Sequence, residues 1–229
     1  MQAVILAGGK GSRLKEITKD IPKPLVPIGG KPVIAYLLQQ MSKTGVTDVI
    51  MAVNHQAEQI EQELGDGSDY TLKISYSQEE QELSTIAPLK LINNLTDTFI
   101  VANGDILTDL DFLKLFEYHR SHSSDVTVCV KKRIDKIDYG VLETNDSGTV
   151  QVFREKPDYS FLVSCGIYVF SKSVLDIVPD NELFGFDHLM YAMLKSNRSI
   201  QTYQFDGFWL DIGRPEDYEH AQTEYKKIL

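Results

Sequence analysis

The chain has little cysteine: Cys129 and Cys165 stand alone in apolar, strand-like runs of 229 residues, with no metal-ligand spacing. They read as two reduced core thiols of a cytoplasmic protein. Histidine clusters are missing too. His55, His119, His122, His188 and His220 are scattered and read as surface or locally satisfied residues. No apolar stretch approaches the length of a membrane span, and the N-terminus lacks the charged and apolar regions of a secretory signal. A basic surplus is absent as well: 23 Lys and Arg face 33 Asp and Glu, a net charge of −10 with pI near 5.0. That balance argues against nucleic acid as a partner. Two common phosphate fingerprints also fail. G-x-G-x-x-G begun at Gly9 ends on Leu14, and Gly30-Lys31 is followed by Pro32, with Leu25 where a Walker A loop needs its first glycine.

What is present lies first in the opening 31 residues, MQAVILAGGKGSRLKEITKDIPKPLVPIGGK. An apolar run from Ala3 to Ala7 feeds Gly8, Gly9 and Gly11. Lys10, Arg13, Lys15, Lys19, Lys23 and Lys31 outnumber Glu16 and Asp20, giving this segment a charge of +4 inside an acidic chain. A strand ending in a glycine loop offers backbone N–H groups to an anion, and cations neutralise it. The segment suits the polyphosphate of a nucleotide.

Hydrophobic residues at 42% and charged residues at 24% are those of an ordinary globular protein of one sizeable core. Apolar runs alternate with helical patterns, which predicts an α/β fold, a Rossmann-like doubly wound, mixed but mainly parallel sheet in a single domain over residues 1–229. Strands are expected at Ala3–Ala7, Asp48–Val53, Lys73–Ser77, Thr98–Ala102, Val126–Val130, Gly166–Phe170 and Ile200–Phe205. Helices are expected after Pro32 to Gly45, over Ala57–Leu64, through Leu89 to Ile92, over Asp111–His119, Ser173–Val178 and Phe186–Leu194, and from Pro215 onward. Gly140–Thr144 and Val150–Phe153 flank Asn145-Asp146-Ser147-Gly148, a hairpin signal that adds antiparallel strands.

Ligands of such sheets bind outside the carboxyl ends of the strands. Asp105 follows the run Phe99 to Gly104 at that position. Magnesium takes one or two carboxylates plus phosphate oxygens, and Asp105 suits that role; the alternative is an aspartate capping the next turn. Asp211, in Trp209-Leu210-Asp211-Ile212-Gly213, is placed similarly and is equally compatible with a cap. Glu155 and Lys156 reach one ligand only if the strand bends at Pro157. By themselves they favour an exposed hairpin end.

Together these blocks resemble a family. Leu6-Ala7-Gly8-Gly9-Lys10-Gly11-Ser12-Arg13-Leu14, Pro22-Lys23-Pro24-Leu25 and Gly30-Lys31-Pro32 are similar to the signature of sugar-1-phosphate nucleotidylyltransferases. Asn103-Gly104-Asp105, Tyr139-Gly140-Val141, Glu155-Lys156-Pro157 and Trp209-Leu210-Asp211-Ile212-Gly213 continue the resemblance in order. The chain looks like the short form, without the C-terminal β-helix domain of many members, and is most similar to the mannose-1-phosphate guanylyltransferase-like branch. The resemblance implies transfer of a nucleotidyl group from an NTP, with GTP the best fit, to a mannose-, heptose- or amino-sugar 1-phosphate. Uridylyl and thymidylyl transfer stay open.

Residue by residue, the resemblance makes Arg13, Lys23 and Lys156 catalytic. It places the nucleotide on Leu6, Ala7, Gly8, Gly9, Gly11, Ser12, Arg13, Lys23, Thr85, Asn103 and Gly104. The sugar phosphate falls on Gly140, Glu155, Lys156 and Gly166, with Ser164 and Cys165 alongside, and Mg2+ on Asp105 and Asp211. No side-chain nucleophile is needed, because the sugar phosphate oxygen is already anionic. The implied partners are the two substrates, with no nucleic acid or membrane and with room for a homo-oligomer.

One stretch departs from the family. In Glu82-Leu83-Ser84-Thr85-Ile86-Ala87-Pro88-Leu89, Ser84 and Ile86 replace glycines that let the backbone approach the base. Ile86 is expected to crowd that wall, which reshapes the base pocket or weakens nucleotide binding. Two rivals follow: a weakly catalytic nucleotide-sugar-binding regulator, and a glycosyltransferase whose Asp-x-Asp motif would be Asp109-Leu110-Asp111.

Overall fold

Alternation along β1 (Gln2–Leu6) shows how the fold is built, because Ala3 and Ile5 enter one core while Val4 enters another. A strand buried on both faces must sit mid-sheet with layers above and below it. In the computed structural model, which describes residues 1–9, 11–14, 18–54 and 56–228, six further strands complete that sheet. They are β2 (Asp48–Val53), β3 (Lys73–Gln78), β4 (Thr98–Asn103), β5 (Val126–Lys136), β6 (Asp158–Ser171) and β7 (Ile200–Gln204). The order is β7-β5-β6-β4-β1-β2-β3. Strand β6 runs antiparallel to both β4 and β5, and the remaining pairings are parallel. The mixed, mainly parallel sheet is the expected one.

Helices α1 (Val33–Lys43), α2 (Ala57–Leu64) and α3 (Phe112–His122) share one core with Ala3, Ile5, Ile100 and Ala102. On the opposite face α4 (Phe186–Lys195) packs Leu189 and Met193 against Val4, Phe99, Val101 and Phe170. A smaller cluster joins α5 (Pro215–Glu224) through Ala221 to Leu14, Ile28, Val33, Leu107 and Ile212. Ile34, Leu37, Leu38 and Met41 of α1 are fully buried, and each such side chain contributes about 1.5–3 kcal/mol. Leu37→Ala would leave a hole costing about 2–5 kcal/mol. Gly45, at φ 91°, ends α1 as expected, and Val46 N donates back to Met41 O at 3.0 Å.

Strands β5 and β6 run further than their apolar stretches. Lys131–Lys136 pairs with Asp158–Val163 and with nothing else in the sheet, as a ribbon that carries the hairpin Val141–Thr144/Val150–Arg154. Exposed on both sides, the ribbon tolerates charged residues, so hydrophobic patterning stops where the strands do not. The stretches expected as helices at Leu89–Ile92 and Ser173–Val178 are 3-10 turns, Ala87–Leu91 and Lys172–Ile177. A three-residue ribbon, Ile106–Thr108 with Trp209–Asp211, has no local signal because its halves lie far apart in sequence. Among the described residues no helix is long and apolar enough to cross a membrane.

Candidate active site

The carboxyl ends of β1, β2 and β4 are tied together by backbone. Ala7 N donates to Ala52 O at 2.8 Å, and Gly104 N to Leu6 O at 3.0 Å. A cleft of about 360 Å³ opens there. Leu6, Ala7, Gly8, Gly9, Gly11, Arg13, Lys23, Thr85, Asn103, Gly104 and Asp105 all line it, so residues chosen from four separate blocks meet in one place. Ser12 belongs to the adjoining 3-10 turn Ser12–Leu14. Lys10, Lys15 and His55 lie outside the described residues. Gly11 sits at φ 61°, in the left-handed region open to glycine, and Thr18 Oγ1 donates to Gly11 O at 3.2 Å and Leu14 O at 3.0 Å to close the loop.

The two aspartates are brought together by the small ribbon. Asp211 stands opposite Ile106, and Ile212 N donates to Asp105 O at 3.1 Å. Asp105 Oδ2 is ion-paired with Lys23 Nζ. Asp105 Oδ1 and Asp211 Oδ1 are buried and have no hydrogen-bond partner among the described residues. Leaving such an oxygen unmet costs about 1–3 kcal/mol, more for a charged group. Burial first, then the Asp105 charge, pushes the Asp211 carboxyl up to about 6, against the pull of Lys23 and Arg13. Two orphaned carboxylate oxygens beside a cleft lined by the glycine loop, Arg13 and Lys23 fit a hard divalent cation that takes its other ligands from phosphate or water. No cluster of three or more His, Cys, Asp or Glu side chains suited to a metal occurs among the described residues.

The far wall of the cleft corrects one expectation. Ile86 does not crowd the base: it is fully buried in the core shared with Val4, Phe99 and Leu189. The backbone instead turns at Ser84, which holds φ 72° despite its side chain. Thr85, Ser84 and Pro88 face the cleft. The wall is braced from the start of α4 and the segment before it: Thr85 Oγ1 accepts from Phe186 N at 3.0 Å, and Phe184 O accepts from Ile86 N and Ala87 N at 3.0 and 3.1 Å.

Sequence reasoning missed Glu79. It follows β3 at the same carboxyl edge that singled out Asp105, yet it is hidden among Glu80 and Glu82. Glu79 is buried, lines the cleft, and accepts from Asn54 Nδ2 at 2.7 Å and Leu83 N at 3.1 Å. Burial pushes its carboxyl upward, while those two bonds oppose the shift.

The sugar-phosphate residues divide. Gly166, at φ 68°, presses so closely on Asn103 that a Cβ there would fall 2.6 Å from Asn103 Nδ2. Its strand is held by Trp209 Nε1, which donates to Cys165 O at 2.8 Å. Gly140, Glu155 and Lys156 stand exposed on the hairpin arm, with Glu155 Oε2 close beside Gly140. The chain bends there, as Pro157 suggested: Lys156 takes φ 43°. The Asp-x-Asp alternative fails on geometry. Asp109 Oδ1 accepts from Phe208 N at 2.7 Å, and Asp111 caps α3 by accepting from Lys114 N at 3.1 Å.

The sequence profile of the family described as Nucleotidyl transferase matches residues 2–228. A mannose-1-phosphate guanyltransferase beta-A of Xenopus laevis is 34% identical over 98% of this chain and 64% of its own length. A mannose-1-phosphate guanyltransferase of Gibberella zeae is 32% identical over 100% of this chain and 65% of its own. The chain therefore spans just under two thirds of these curated relatives. The crystal structure of HddC from Yersinia pseudotuberculosis is 30% identical with a TM-score of 0.76, covering 98% of this chain and 99% of that one. The same protein has also been solved complexed with GMP-PN.

Proposed function

The chain belongs to the nucleotidyl transferase family, and from that premise we propose that residues 1–229 act as one catalytic domain that moves a nucleotidyl group from an NTP to a sugar 1-phosphate, releasing pyrophosphate. The observation that carries this reading is the junction of the glycine loop, Arg13 and Lys23 with the orphaned oxygens of Asp105 and Asp211.

Gly8, Gly9 and Gly11 offer backbone N–H groups to the triphosphate, with Leu6 and Ala7 lining the cleft beside them. Arg13 and Lys23 neutralise charge at the α-phosphate, where it builds in the transition state. Held by Asp105 and Asp211, Mg2+ would offset the charge of the phosphate oxygens and of the departing pyrophosphate. Lys156 receives the sugar phosphate and Glu155 a sugar hydroxyl, while the backbone at Gly140 and Gly166 shapes the pocket. The sugar phosphate oxygen attacks the α-phosphorus in line, so the chain's task is to bring two polyanions together and orient them.

GTP is the nucleotide this cleft favours. Glu79, on the wall with Thr85, accepts hydrogen bonds and donates none when ionised. Guanine presents adjacent N1–H and N2–H donors, whereas uracil and thymine present a single N–H between two carbonyls. Names of relatives at 32–34% identity point to mannose 1-phosphate as acceptor, and the motif resemblance keeps a heptose or amino-sugar 1-phosphate beside it. The two buried free thiols suit the reducing cytoplasm. Ile86, turned into the core, removes one reason to read the chain as a regulator without turnover.

The test is magnesium-dependent pyrophosphate release, crossing GTP, UTP, dTTP, CTP and ATP with mannose, glucose, glucosamine and heptose 1-phosphates. Release with GTP and one sugar is expected. Nucleotide-sugar binding without release from any pair would overturn the reading in favour of a binding protein.

A further inference from the structure

We propose that Lys23 is a built-in place-holder for the divalent cation, and that the triphosphate must draw its ammonium off Asp105 before the metal can settle. The inference rests on the metal-dependent reading above. Lys23 Nζ is ion-paired with Asp105 Oδ2, and the pair is sheltered, with side chains 15% and 14% exposed. The next oxygens along, Asp105 Oδ1 and Asp211 Oδ1, have no partner among the described residues. One ammonium thus meets part of the demand of a two-carboxylate site, in the place where a dication would meet all of it.

Both cations cannot share the site cheaply. A unit charge and a dication a few ångströms apart repel strongly in a half-buried setting, enough to weaken metal binding by about tenfold or more. The exchange asks little of the fold. Lys23 opens the 3-10 turn Lys23–Leu25 between Pro22 and Pro24, and Pro24 is buried, so the backbone is fixed. The four-carbon stem is the moving part, and an ammonium, unlike a guanidinium fork, carries its charge to a new partner without a preset geometry. Lys23 also lines the nucleotide cleft, so phosphate oxygens can take it up. Metal and nucleotide affinities are then linked, each tightening the other by the same factor.

The test reads free Mn2+ by electron paramagnetic resonance as it is titrated into the full chain, with and without a non-hydrolysable GTP analogue. Wild type should bind Mn2+ weakly alone. Lys23→Met should bind it about tenfold or more tightly without nucleotide, and Asp105→Asn added to that variant should abolish the gain. Lys23→Gln, which keeps a donor to Asp105, is the second uncharged variant, and Lys23→Arg, which keeps the charge, should stay as weak as wild type. If neither uncharged variant gains affinity while wild type with the analogue binds Mn2+ through Asp105, the place-holder is refuted and the metal site stands. If no protein shows Asp105-dependent Mn2+ binding under either condition, both ideas fall.

Discussion

The Glu79 carboxylate accepts a hydrogen bond from the Asn54 side chain at 2.7 Å, joining the residue after β3 to the residue after β2. Its other oxygen accepts from Leu83 N, and Glu79 Oε1 lies beside Gly8, so one carboxylate touches the glycine loop, the sheet edge and the base wall. Each oxygen keeps a lone pair for a donor in the cleft. Glu79→Gln replaces an acceptor by a donor, and a lost charge-assisted bond is worth about 1.5–3 kcal/mol. Steady-state assays should show kcat/KM for GTP falling about 10- to 100-fold, with UTP changed far less. An equal fall for both nucleotides would make Glu79 a brace of the cleft and not a reader of the base.

Ile86 separates packing from recognition. Since its side chain fills the core under α4, Ile86→Ala should cost about 2–4 kcal/mol in urea unfolding. The GTP-to-UTP preference should stay unchanged, because Ser84, Thr85 and Pro88 line the cleft and Ile86 does not. A changed preference with unaltered stability would return Ile86 to the wall.

Much of this was legible in the residues. The glycine loop, Asp105 and the Pro22-Lys23-Pro24 turn are local motifs whose chemistry depends on neighbours in sequence; the carboxyl-edge rule pointed to the first two, and Lys23 lines the same cleft. Asp211 was harder to read, because its position depends on pairing Trp209–Asp211 with Ile106–Thr108, a contact no local pattern encodes. Ile86 misled for a different reason: a bulky residue where small ones are usual says nothing about which way its Cβ points, and the positive φ of Ser84 sets that direction. The long β5–β6 ribbon escaped because backbone pairing continues without apolar alternation.

Asp105 and Asp211 answer to a pair of readouts. Asp105→Asn or Asp211→Asn should lower kcat at least about 100-fold at saturating magnesium, since phosphoryl chemistry leans on charge neutralisation. Asp211→Asn should melt no lower than wild type in metal-free buffer, because it removes a carboxylate charge that burial and Asp105 disfavour. Near wild-type turnover in either variant would refute the metal assignment.

Lys156 tests the arm. It is exposed and left-handed at φ 43°, so its loss should leave folding intact. Lys156→Ala should reduce kcat/KM for the sugar 1-phosphate about 10- to 100-fold while the KM for nucleotide stays within about twofold, on the strength of one charge-assisted phosphate contact. Nucleotide and sugar affinities falling together would move Lys156 out of the sugar pocket.

His119 gives the fold an acid-sensitive point remote from the chemistry. Its ring is buried, with Nδ1 2.9 Å from Thr127 Oγ1 and 3.3 Å from Ser124 Oγ, and Nε2 3.2 Å from Ser171 Oγ. Burial pushes its pKa below the ordinary value, outweighing the opposite pull of Asp125, itself ion-paired with Arg198. The unfolded chain therefore binds the proton more readily than the folded one, and stability must rise with pH across that interval. The contribution is complete above about pH 6.5, the value of an unperturbed histidine, and fades as pH falls below it. Urea unfolding at pH 7.5 and 5.5 should show wild type losing more stability on acidification than His119→Gln, which cannot take up the proton. At pH 7.5 the variant should already be weaker by about 1–3 kcal/mol, because the hydroxyls of Thr127 and Ser171 lose a buried partner. Equal acid losses in the two proteins would assign the sensitivity to carboxylates instead, and His119 would be left with a packing role alone.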